Sequence, residues 1–267
     1  SLFHLRPYRQ ITRRHQVICS RRGWYRLESA TMTTGDPFGM NAEVKRFPLD
    51  LELLVYPRIL ELKELPLPNH SWLGELPVRR WIVEDPFLTA GTREYRAGDP
   101  LGSINWKATA RTGKLQVHQR DYTADHRLMI CLNLETSDSM WKTVIEPERI
   151  ELGIRYAATV AEHALRSGLA AGFACNACLA DGPREPIRIA PYASADQFTL
   201  LLETLARMVL DKTVSMIRLL EIELEAGTTD TDYLIISCHR GEKLVETAEI
   251  LRQNGNGVEW MDIPAVV

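Results

Sequence analysis

The sequence predicts an α/β protein with a separate β part: a small β-sandwich followed by a mostly parallel sheet with helices on both faces. Three observations predict it. Residues 127–267 alternate short apolar runs with segments of helical periodicity, the pattern of a covered parallel sheet. Residues 1–62 carry short apolar runs separated by turn signals, with no competing helical period. The charge also divides: residues 1–50 hold nine basic and four acidic side chains, and residues 127–267 hold thirteen and twenty-one.

The elements follow in order. Gln16-Val17-Ile18-Cys19, Gly23-Trp24-Tyr25-Arg26-Leu27 and 51–56 are strand candidates, and Gly35-Asp36-Pro37-Phe38-Gly39 is a turn. The β-sandwich domain is expected over 1–62, and it could be incomplete. Residues 63–126 are expected to join the domains, with Pro66, Pro68 and Pro77 resisting helix in their first part. The α/β domain is expected over 127–267. It opens with a strand at 127–134 whose continuous apolar run fits burial on both faces. A helix is expected around 146–167, from Ile150, Ile154, Ala157, Ala161 and Leu165. Strands are expected near 170–179 and 186–190. Ser194 with Gln197 three residues on is a helix start. A helix at 216–224, a strand at 233–238, a helix ending near Asn254-Gly255 and a strand at 258–263 complete the series.

Composition excludes several classes. The chain has 267 residues, 45% apolar and 25% charged, which is globular and long enough to bury a core unaided. With 32 Lys+Arg against 35 Asp+Glu, net −3, no nucleic-acid partner is expected. The basic N-terminal part remains the rival reading there, and it would give a steep salt dependence. Five scattered cysteines suggest reduced thiols and not a disulfide scaffold. The most apolar stretch, 169–180, is far shorter than the roughly 18 residues a membrane span needs. Ser1 in place of an initiator methionine suggests a fragment of something longer.

Known catalytic signatures are missing. There is no G-x-S-x-G elbow and no Walker A loop. The seven histidines show no metal-ligand spacing. Cys175-Asn176-Ala177-Cys178 is a C-x-x-C, but it falls inside an expected strand and reads as buried core thiols. No catalytic residue is expected.

Two stretches could carry function. After the first α/β strand, Glu135, Ser137 and Ser139 form an acid-x-Ser-x-Ser turn. Such a turn can aim one carboxylate and two hydroxyls at one point, a donor set that hard cations such as Mg²⁺ accept. Its alternative reading is a turn whose hydroxyls cap the following residues. The second stretch, 91–111, is dense in Arg, Asp, Trp and Tyr. Gly98-Asp99-Pro100 is a turn, and Arg93, Tyr95, Asp99, Trp106, Lys107 and Arg111 form either a polar cluster joining the domains or a partner-binding surface.

These residues carry a resemblance. The run Arg-x-Tyr-x-x-Gly-Asp over 93–99, then Ile-x-Trp-Lys-Ala-Thr-Ala-Arg over 104–111, resembles the signature of the domain of unknown function 58 family. Arg22-Gly23-Trp24-Tyr25 and Asp36-Pro37-Phe38-Gly39 match what precedes that signature. The 135–140 turn is similar to the metal-ion-dependent adhesion site of von Willebrand factor A domains, which share the Rossmann-type strand order. The site departs from that pattern. Glu135 replaces an aspartate, Ser237-Cys238-His239-Arg240-Gly241 offers no second carboxylate, and Ser194 is the weak substitute for a threonine. The resemblance implies a non-enzymatic interaction protein with a degenerate metal site, a partner of MoxR-type AAA+ ATPases. It also implies membrane anchoring through segments absent from this chain, with this part on the cytoplasmic face. The alternative is a metal-dependent ligand-binding domain or enzyme using Glu135, Ser137 and Ser139.

Overall fold

The computed structural model describes residues 8, 10–12, 14, 16–35, 41–66, 89–95, 104–120, 127–138, 140 and 144–265. Two compact units divide after Val55, at 1–55 and 56–267.

The first unit is a long antiparallel ribbon. Strand β1 (Gly23–Gly35) pairs with β2 (Ala42–Val55), from Gly23 opposite Val55 to Gly35 opposite Ala42. The expected turn at 36–39 lies outside the described residues, between the paired ends. A bulge interrupts the ladder between Leu27 and Ser29. Cross-strand polar pairs line one face, with Trp24 Nε1 donating to Glu52 and Arg26 to Asp50. The described residues form one two-stranded sheet here, where the sequence pattern suggested a sandwich of two. Alternating apolar residues mark a strand with one favoured face, but nothing in them states how many strands share it. Gln16–Cys19, expected as a strand, is irregular and exposed.

The second unit begins with an extended segment. Residues 56–66 lie on the α/β body: the Leu60 N–H donates to Thr159 Oγ1 at 3.0 Å, and Leu65 is buried. Strands β3 (Thr89–Glu94) and β4 (Gln116–Arg120) form an antiparallel pair. Between them lies helix α1 (Trp106–Thr112). Part of the expected joining region is therefore a small ordered β–α–β element.

The body has a five-stranded sheet whose strands lie side by side in the order 257–262, 231–237, 127–132, 170–175 and 187–192. Strands β5 (Arg127–Leu132), β6 (Ala170–Cys175), β10 (Thr231–Ser237) and β11 (Gly257–Asp262) run parallel, and β8 (Ile187–Tyr192) is antiparallel at one edge. Short β7 (Cys178–Leu179) and β9 (Met208–Val209) pair beside it. The C-x-x-C is thus not inside one strand: a bend at Asn176-Ala177 separates β6 from β7. Neither cysteine is in a disulfide, and both are buried.

Helices cover both faces. Helix α2 (Pro147–Arg166) and α3 (Ala195–Arg207) share one core with Leu128, Ile130 and Leu132. Helix α4 (Met216–Glu225) and α5 (Glu242–Gln253) share the other with Met129, Cys131 and Tyr233. Successive residues of β5 serve opposite cores, which explains its unbroken apolar run. Gly172 lets the edge strand bulge close: a Cβ there would lie 2.5 Å from Ile189 O. Fully buried Glu223 receives Arg188 on both oxygens and the Tyr233 hydroxyl at 3.2 Å, tying α4 to β8 and β10. Burial pushes the Cys131 thiol and Tyr233 hydroxyl above their ordinary pKa values.

Candidate functional site

Ligands of open α/β sheets bind outside the carboxyl ends of the strands, where the strand order reverses. Here β6 lies to one side of β5, and β10 and β11 to the other. The reversal falls between β5 and β10. The 133–140 turn leaves β5 at that point, and Ser237-Cys238-His239 leaves β10.

Buried amides organise the turn. The Asn133 N–H continues the ladder to Ile236 O at 2.9 Å, and its side-chain amide donates to Ser237 Oγ at 3.1 Å. Asn133 Oδ1 accepts from Glu135 N at 2.9 Å and from Asn176 Nδ2 at 3.1 Å. Asn176 Oδ1 accepts from Leu134 N at 2.9 Å. Ser237 Oγ also accepts from His239 N and donates to His239 O. Asn133, Asn176 and Ser237 are all buried, so each bond replaces one that water can no longer make.

Asn176 also holds the opposite wall. Its carbonyl accepts from the Thr213 N–H at 2.9 Å and the Thr213 hydroxyl at 3.1 Å. That places Lys212 against the turn. Lys212 Nζ donates to Glu135 Oε1 at 3.0 Å and to the Met140 carbonyl, and both charged side chains are only 14% exposed. Glu135 Oε2 receives the Met216 N–H at 3.3 Å, from the first residue of α4. A carboxylate is favoured at a helix N-terminus and beside an ammonium.

The outer rim is also paired. His239 Nε2 lies 2.9 Å from Asp138 Oδ1. Arg149 on α2 donates to Ile263 O at 2.9 and 2.7 Å and to Cys238 O at 3.3 Å, gripping the ends of β10 and β11. Arg240 pairs with Asp262 and lies over the Trp260 ring. Burial pushes the Cys238 thiol up to about 11.

In this geometry the Glu135 carboxylate is already engaged on both oxygens. Glu135 gives one oxygen to an ammonium and the other to a main-chain N–H, so a divalent cation would compete with both donors for this carboxylate. Ser137 is half-buried, Ser139 lies outside the described residues, and Ser194 Oγ caps α3 by accepting from Gln197 N at 3.2 Å. The sequence reading missed Lys212, Asn176 and Arg149. The signal for Asn176 was a polar residue within an apolar run. Lys212 carried none, because it lies 77 residues from Glu135.

The second stretch is built differently. Asn105 Oδ1 caps α1 by accepting from Ala108 N at 3.0 Å, and Gly113 ends it with φ 69°. Asn105 N donates to Gln116 O, and Gln116 N to Thr109 Oγ1. Ile104 and Val117 are buried at the helix base. On this fixed support Trp106 is 68% exposed, and Lys107 and Arg111 are exposed one turn apart. Among the described residues, no hydrogen bond or ion pair reaches the Trp106 indole, Lys107 or Arg111. Tyr95 is half-buried, with its N–H on Leu115 O. Arg93 lies in β3 opposite Val117, and Asp99 lies outside the described residues.

A family model described as "Protein of unknown function DUF58" matches residues 91–206, from β3 to the end of α3. The chain is also 24% identical over 247 residues to "Uncharacterized protein YeaD" of Bacillus subtilis (strain 168). That alignment covers 91% of this chain and 57% of the relative, so the chain spans little more than half of the relative's length. The matched span includes α1, the 133–140 turn and Asn176. It stops short of Lys212 and Ser237. No helix among the described residues is long and apolar enough to cross a membrane.

Proposed function

We propose that the chain is a non-enzymatic interaction module that binds a protein partner through the α1 surface. The observation that carries this reading is the trio Trp106, Lys107 and Arg111. They are exposed and unengaged among the described residues, on a helix fixed at both ends. Trp and Arg are the residue types that anchor interfaces. A rigid support lowers the ordering cost of docking. Three arginines on the other helices contrast with them: Arg166 pairs with Glu162, Arg218 with Glu221 and Glu225, and Arg252 with Glu249.

Resemblance to the domain of unknown function 58 family suggests the partner, a MoxR-type AAA+ ATPase. It also suggests that the full-length protein is membrane-anchored with this part on the cytoplasmic face. The C-terminal body is von Willebrand factor A-like in this reading, with its metal site lost. Surface plasmon resonance against such an ATPase tests it. Saturable binding that weakens about tenfold or more in Trp106→Ala is expected, the loss typical of an interface anchor. Equal binding by Trp106→Ala would remove α1 from the interface.

A further inference from the structure

We infer that the 133–140 turn is a cation-binding site filled in cis, with the Lys212 ammonium as its resident ligand. The donor set is the Glu135 carboxylate and the Met140 carbonyl, two oxygens converging on Nζ. The ligand class that fits is a primary alkylammonium, whose N–H groups satisfy both oxygens directionally. A metal ion on these oxygens would leave the ammonium without the two acceptors it has among the described residues.

Two further observations separate this pair from an ordinary surface ion pair. Both side chains are 14% exposed, so each charge depends on the other in place of water. Asn176 also fixes both walls at once, the turn through its amide and the Lys212 loop through its carbonyl. The ammonium is held where the turn needs it. It joins Glu135 to the Met140 carbonyl across the turn without an added ion.

The experiment is thermal unfolding of the wild-type chain, Lys212→Met, Lys212→Ala and the double variant Glu135→Gln/Lys212→Met. Lys212→Met keeps the stem and removes the charge. The wild-type Tm is expected to be unmoved by 10 mM Mg²⁺, Mn²⁺ or Ca²⁺, metals being added to about the millimolar level at which weak sites fill. Lys212→Met should lower Tm by about 5–10 °C, because it leaves a half-buried carboxylate uncompensated. The double variant should recover part of that loss. Lys212→Ala should be stabilised by n-propylammonium and not by tetramethylammonium, which has no N–H donor. Three results would overturn the inference: metal stabilisation of the wild type, a Lys212→Met variant as stable as the wild type, or no discrimination between the two amines. If the single variants do not fold, the double variant and the metal titration of the wild type still decide it.

Discussion

The carboxyl edge of the sheet and the surface of α1 use the same residue types to opposite ends. At the sheet edge, Lys212, Arg149 and Arg240 each meet a carboxylate or carbonyl, and the amides of Asn133 and Asn176 are bonded at both atoms. On α1, Lys107, Arg111 and the Trp106 indole make no hydrogen bond or ion pair among the described residues. Polar groups that the chain satisfies internally build architecture. Those it presents on a rigid support are available to something else. The place where an α/β sheet usually binds its ligand is here filled by the chain's own side chains. The proposed recognition surface lies in the 91–111 stretch, within the region expected to join the domains.

The comparison can be broken most forcefully at Asn176. Asn176→Ala strands the Leu134 N–H and one lone pair of Asn133, both buried. It should cost about 3 kcal/mol, measured by chemical denaturation. A loss under about 1 kcal/mol would show that the amide network is incidental. Gly172→Ala tests whether the same body tolerates displacement of its edge. With backbone atoms at 2.5 and 2.6 Å from the new Cβ, a loss of about 2 kcal/mol is expected. Trp106→Ala and Arg111→Ala should behave oppositely, changing stability by no more than about 0.5 kcal/mol while weakening partner binding. A large stability loss in either would mean that α1 is packed after all.

Two smaller effects sharpen the picture of the edge. The folded Cys238 thiol titrates near 11 against an ordinary 9.0, so the folded state holds the proton more tightly than the unfolded chain. The stability it supplies is complete below pH 9 and is lost as pH rises towards 11. Cys238→Ala should flatten part of that decline, with Cys131 contributing the same sign. Thiol labelling at neutral pH should modify exposed Cys19 first and leave buried Cys131, Cys175 and Cys178 until the chain unfolds.

Much of the body was legible because its periods are long and clean. The α2 stripe and the apolar β5 run needed only spacing, and Ser194 was recognisable as a cap because capping is local. What was not legible depended on distance. Lys212 reaches Glu135 across 77 residues, and Asn176 reaches Leu134 across 42. An acid-x-Ser-x-Ser turn therefore looked open to a cation that the fold itself supplies. The C-x-x-C was read as one strand because apolar Ala177 and Cys178 continue the pattern, while the bend is made by Asn176 bonding sideways. The ribbon at 23–55 showed its alternation but not its strand count.

The most direct test compares two lysines in one molecule. Acetic anhydride labelling of the native chain, followed by mass spectrometry, gives the relative rates at Lys107 and Lys212. The account predicts rapid modification of Lys107 and protection of Lys212 by about tenfold or more, since its ammonium is held by Glu135 and Met140. Equal rates at the two lysines would contradict it, because the crevice would then be as open as the helix.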